Sequence, residues 1–111
     1  MDRKKIGSIG EELAKATLEF KGYTILETNF RCKLGEIDII AKKGCMISFI
    51  EVKTRLSDQY GSGREAVTLS KRHHIRKTAE YYLMINKKKY EKYNFEVIEV
   101  RIDHLENLTF E

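Results

Sequence analysis

At 111 residues the chain has room for one modest core and no second, so a single domain over 1–111 is expected. Its residues are 41% hydrophobic and 34% charged, a globular mixture richer in charge than the roughly 25% typical of soluble domains, which excludes a disordered chain. Lysine and arginine outnumber aspartate and glutamate 21 to 17, a net charge of +4 that favours a polyanionic partner. No apolar run approaches the ~18 residues that would cross a bilayer, and the opening MDRKKIGS leads into no apolar signal core; a cytoplasmic protein with no membrane partner is expected. Cys32 and Cys45 match no zinc spacing and read as reduced packing residues.

In chain order, Ile6, Ile9, Leu13, Thr17 and Phe20 recur at helical spacing and predict a helix ending at Lys21-Gly22. Gly7 and Gly10 inside it imply close approach of another backbone, and Gly7, Glu11, Ala14 and Leu18 form a narrower strip beside the apolar one. Tyr23 to Glu27 reads as a strand, with Thr28 to Leu34 its continuation or a loop. The next stretch, GEIDIIAKKGCMISFIEVKTR from 35 to 55, alternates as a hairpin. A turn at Lys43-Gly44 would set Asp38 opposite Phe49, with Glu51 its diagonal neighbour and with Ile37, Ile39, Ile50 and Val52 on the other face. LSDQYGSGRE reads as a loop. Ser70 is a candidate N-cap for a helix to about Asn86, with Ile75, Ala79, Tyr82 and Leu83 inward and Lys71 on the same stripe. Alternation at Phe95, Val97, Val100 and Ile102 predicts further strands, followed by a turn and a short LTF run. The sum is an α/β fold: a mixed central β-sheet flanked by helices.

Asp38 and Glu51 on adjacent strands, with Lys53 two residues beyond, suit divalent-metal phosphodiester hydrolysis. The carboxylates and the Val52 carbonyl would hold Mg²⁺ or Mn²⁺, and Lys53 would help deprotonate the attacking water and offset charge on the phosphorane. The competing reading is a plain solvated sheet face with a cross-strand acid and lysine pair. Against it stand Phe49 and Ile40 on the charged face, a Gly/Ala helix strip able to cover that face, and Lys71 pointing inward. The region from Lys71 through Arg72, Arg76 and Lys77 to the run Lys87 to Lys92 is the densest in positive charge, either a phosphate-tracking surface or a solvated helix face and basic turn. Arg31, Lys33, Arg55 and Arg64 flank the site as candidate phosphate contacts. Tyr60 is a weaker candidate for base stacking, and His73, His74 and His104 fit no catalytic or zinc pattern.

These residues resemble a known family. GxxGE at Gly7 to Glu11 with Ala14, the pair Gly22-Tyr23, NxR at Asn29 to Arg31, GEIDII at Gly35 to Ile40, FIEVKTR at Phe49 to Arg55, and Lys71 with Ala79 look like the YraN family over nearly the whole chain. The resemblance implies a restriction-endonuclease-like PD-(D/E)xK core, close to Holliday-junction resolvases. It implies Asp38, Glu51 and Lys53 as catalytic residues, Glu11 as a helix glutamate reaching the metal, and Lys71 as an accessory residue. Ile37 stands where the motif's proline would be, and Asn94-Phe95-Glu96 stands where RFD is expected. The expected function is a metal-dependent endonuclease acting on branched or structured DNA, with a homodimer as a possible assembly. The alternatives are a non-catalytic DNA-binding module of nuclease fold, or a scaffold protein.

Overall fold

The computed structural model describes residues 2–56, 69–87, 92–107 and 109. Helix α1 (Arg3–Phe20) leads into three antiparallel strands, β1 (Thr24–Cys32), β2 (Gly35–Lys43) and β3 (Met46–Leu56). Helix α2 (Leu69–Ile85) then carries the chain across, so that β4 (Lys92–Ile102) pairs with β3 in parallel. The sheet order is β1-β2-β3-β4, a mixed four-stranded sheet with β4 at one edge. Parallel neighbours need a crossover, and α2 lies within that connection. Leu108 and Phe110 of the expected LTF run and most of the LSDQYGSGRE segment, with Tyr60 and Arg64, lie outside the described residues, as do Lys88 and Lys89.

Each helix has its own core beneath it. Ala14 and Leu18 of α1 pack on Ile39, Ala41 and Ile50, with Val52, Ile98 and Val100 alongside. Ala79 and Tyr82 of α2 pack on Ile37, Ile40, Ile47 and Phe49, where Tyr82 meets Phe49 edge-on at 6.0 Å. Phe49, Ile39, Ile40, Ile47 and Ile50 are fully buried, which is what fixes β2 and β3 as the centre of the sheet.

Several expectations are corrected. The α1 stripe Ile9, Leu13 and Phe20 faces outward, while Gly10, Ala14 and Leu18 are buried, roughly a quarter-turn round the helix. Small residues win that face because they let the helix approach the sheet: a Cβ on Gly10 would overlap the Thr54 hydroxyl and stand 2.9 Å from Thr54 Cβ, whereas Gly7 meets nothing within 4 Å. The hairpin turns at Gly44-Cys45, since Lys43 pairs with Met46 and Ile40, not Asp38, with Phe49. Gly44 adopts φ 61, a left-handed conformation that favours glycine at the first turn position. Ile37 belongs to the α2-side core while Ile39 belongs to the α1-side core, so simple alternation breaks across Asp38. It follows that the Gly/Ala strip of α1 covers the aliphatic face, and α2 covers the face of Phe49. Ser70 lies within α2 rather than capping it.

Candidate active site

The site begins where the β2–β3 ladder stops. Matched pairs run from Lys43 and Met46 to Ile39 and Ile50, and continuing that register sets Asp38 level with Glu51. At this point the Val52 amide donates to Asp38 Oδ2 at 2.8 Å. The side chain has taken an interstrand hydrogen bond, and this accounts for the change of facing between Ile37 and Ile39. On the other flank the pairs Thr28 with Ile39 and Phe30 with Ile37 bracket Asn29, which therefore stands level with Asp38. Asn29 has φ 52, a strained value that asparagine tolerates better than most residues. From there its Nδ2 donates to Glu11 Oε2 of α1 at 3.4 Å. One level of the sheet thus gathers Asn29, Asp38 and Glu51, with Val97 of β4 next in line.

The electrostatics of this level are strained toward excess negative charge. Burial pushes the Asp38 carboxyl up to about 6; the Val52 amide pulls the other way, and Glu11, Glu51 and Glu36 add repulsion. Glu51 is mostly enclosed, its side chain 15% exposed, and Lys71 of α2 donates to its Oε1. Its other oxygen, Oε2, is buried and has no hydrogen-bond partner among the described residues. A buried carboxylate oxygen without a donor is costly and asks for a cation or water. Among the described residues no three His, Cys, Asp or Glu side chains gather as a metal cage, so the carboxylates at hand are a pair. A pair with a backbone carbonyl fits Mg²⁺, which keeps several waters and seldom sits in an all-protein cage.

The other sequence-predicted residues distribute as follows. Lys53 is half-buried on β3, level with Glu99. Glu11 is near enough to repel the Asp38 charge, but its carboxylate is held by Asn29. Arg72 and Arg76 of α2 line a cleft of about 510 Å³ together with Asp38 and Glu51. Arg31 is paired with Glu36 at 3.2 Å, and Lys77 with Glu80 at 3.7 Å, so both carry local partners on the surface. Lys33 is exposed in the turn between β1 and β2, and Arg55 is half-buried near the end of β3, level with Arg101. Three participants had no assigned role in the sequence reading. Asn29 was only part of the NxR match, and its left-handed backbone is the physical signal that marks it. Phe95, read as a strand residue within the Asn94-Phe95-Glu96 stretch, and Val97, read only as a strand residue, line the cleft.

The sequence is similar to a known family and to several relatives. The model of uncharacterised protein family UPF0102 matches residues 10–103, which include Glu11, Asp38, Glu51, Lys53 and Lys71. A UPF0102 protein from Caldicellulosiruptor saccharolyticus is 49% identical over 100 residues, 90% of this chain and 85% of the relative. One from Clostridium perfringens strain 13 is 50% identical over 109 residues, covering 97% and 88%. One from Clostridium botulinum strain Loch Maree is 53% identical over 105 residues, covering 92% and 84%.

Proposed function

The chain belongs to the uncharacterised protein family UPF0102, and from that premise we propose that it is a metal-dependent endonuclease hydrolysing phosphodiester bonds in branched or structured DNA. The observation that carries the reading is the second oxygen of Glu51, buried without a donor among the described residues, beside a carboxyl already raised to about 6. Two crowded carboxylates under a basic helix are stable only if positive charge joins them. Asp38, Glu51 and the Val52 carbonyl would hold Mg²⁺ or Mn²⁺, and such an ion supplies Lewis acidity toward a phosphoryl oxygen. The protein's own groups do the rest. Val52 N–H fixes the Asp38 carboxylate, Asn29 fixes Glu11, and Arg72 and Arg76 bind and orient flanking phosphates. Lys53, two residues beyond Glu51 on the same strand, offsets negative charge as the phosphorane forms.

A cleavage assay over linear, flapped, nicked and four-way DNA, with and without Mg²⁺ or Mn²⁺, tests this. Wild type cuts at least one of these only with metal, and Glu51→Ala and Asp38→Ala each lower the rate by about a hundredfold or more. Calorimetry shows divalent-ion binding that Asp38→Ala loses. A wild-type chain that binds neither ion, alone or with DNA, sinks the reading.

One observation favours a second reading, a DNA-binding module that does not cut. The Lys71 ammonium already sits on Glu51 and supplies part of the charge a metal would bring. In that case affinity for DNA falls steeply with salt while cleavage is absent with every ion and substrate.

A further inference from the structure

The outer row of β4 lies bare beside the cleft. Tyr93, Phe95 and Val97 alternate along it and are 47%, 44% and 53% exposed. The cause is architectural: α2 packs chiefly on β2, and β4 is an edge strand, so this row extends past the helix. The rings are ordered among themselves. Phe95 lies against the buried Phe49 at 5.7 Å and 33°, and Tyr93 stands edge-on to Phe95 at 6.0 Å and 89°. Phe49 therefore backs Phe95 like a wall, and nearly half of the Phe95 surface meets solvent. Exposed apolar rows of this kind mark contact with a partner.

The register ties the row to the carboxylates. Val97 is level with Glu51, and Phe95 is level with Phe49, two residues back along the strand, or about 7 Å. Phe95 and Val97 share one cleft with Asp38, Glu51, Arg72 and Arg76. We propose that this row is a stacking platform for unpaired nucleobases of a DNA strand, whose adjoining phosphate is presented to Asp38 and Glu51. The proposal rests on the phosphodiester-directed reading of the site. Charge selects the occupant: a second copy of the chain would bring its own +4 against Arg72 and Arg76, whereas a nucleic-acid strand brings phosphates for the arginines and flat faces for the rings. Base faces are free only where pairing is lost. The substrate class narrows from branched DNA in general to DNA with unpaired nucleotides next to the scissile bond, such as flaps, gaps and open junctions.

The test measures binding in EDTA, where no cleavage is needed. A fluorescein-labelled oligodeoxynucleotide carrying one 2-aminopurine is compared with its blunt duplex, using wild type, Phe95→Ala and Phe95→Tyr, each first shown to melt cooperatively. Wild type prefers the single strand and quenches 2-aminopurine. Phe95→Ala weakens single-strand binding about tenfold and abolishes the quench, Phe95→Tyr keeps both, and duplex affinity is unchanged throughout. Phe95→Ala binding and quenching like wild type overturns the platform, as does a wild type with equal affinity for duplex and no quench. A dimer in sedimentation that Phe95→Ala dissociates also overturns it, assigning the row to a second copy. The two readings fail separately. Quenching in EDTA without cleavage in metal removes the nuclease and keeps the platform, and cleavage by a chain whose Phe95→Ala binds normally does the reverse.

Discussion

The two faces of the sheet are closed in different ways. Under α1 the contact is aliphatic and close: Gly10 meets Thr54, and Ala14 and Leu18 seat on Ile39, Ala41 and Ile50. Under α2 it is aromatic over β2 and β3, then stops short of β4, where Glu51, Phe95 and Val97 border an open cleft. The same strand serves both. β3 sends Ile50 and Val52 into the α1 core, and Phe49 and Glu51 toward α2. A closely packed face at the back holds the backbone that carries the charges at the front. The site is thus a place where packing has been withheld, and its strain is supported from behind.

The sharpest way to break this contrast is at Gly10. A methyl group there collides with Thr54, and the helix must lift from β3, so Gly10→Ala costs about 3 kcal/mol, near the top of the range for overpacked cores. For a domain of this size that lowers the melting temperature by roughly 12 °C or more. Gly7→Ala, three residues earlier in open space, gains up to about 1 kcal/mol from helix propensity. Thermal melts of the two variants check the pair; equal effects would show that α1 does not approach the sheet this closely. Because Glu11 adjoins Gly10, the same lift should also detach Glu11 from Asn29.

Local pattern made the elements legible, and non-local choices hid the rest. Alternation through Ile39, Ile50, Phe49 and Glu51 reports burial on two faces directly, so the hairpin and its acids could be read from sequence. Its register could not, because Gly44 satisfies either turn position, and placing it second slides the strands by two residues. The α1 face was misread for a physical reason: isoleucine and leucine carry more apolar surface than glycine and alanine, but close packing on a sheet rewards small size. No local signal in the sequence marked the role of Asn29, since its left-handed backbone is seen only in the fold and its partner Glu11 is 18 residues away. The bare row on β4 was visible as a strand, but its exposure depends on where α2 stops.

At Asp38 the contrast can be sharpened by pH. An acid whose folded pKa lies near 6, above its ordinary 3.8, binds protons more tightly folded than unfolded between those values. Stability contributed by this group therefore falls as pH rises from about 4 through 6, by about 2 to 3 kcal/mol once the charge is fully formed. Asp38→Asn still accepts the Val52 amide and carries no charge. It should match wild type near pH 4 and melt roughly 10 °C higher at pH 8 without metal. Saturating Mn²⁺ should close the gap by stabilising only wild type. A gap independent of pH would mean that Asp38 is not held in the crowded, desolvated state described.

The smallest effect is expected at Lys71, the α2 cation that already sits on Glu51. Lys71 is half-exposed, so solvent screens it, and its pairing with Glu51 is worth about 1 kcal/mol at low salt. Lys71→Ala should lower stability by that amount without divalent ion, and by less with Mn²⁺ bound, because the ion then serves the Glu51 carboxylate. Linkage requires the converse: if the lysine and the ion compete for Glu51, removing the lysine tightens Mn²⁺ binding a few-fold, an increment calorimetry can resolve. A weaker Mn²⁺ affinity in Lys71→Ala would instead make the lysine part of the ion's setting, holding Glu51 in place rather than standing in for the metal.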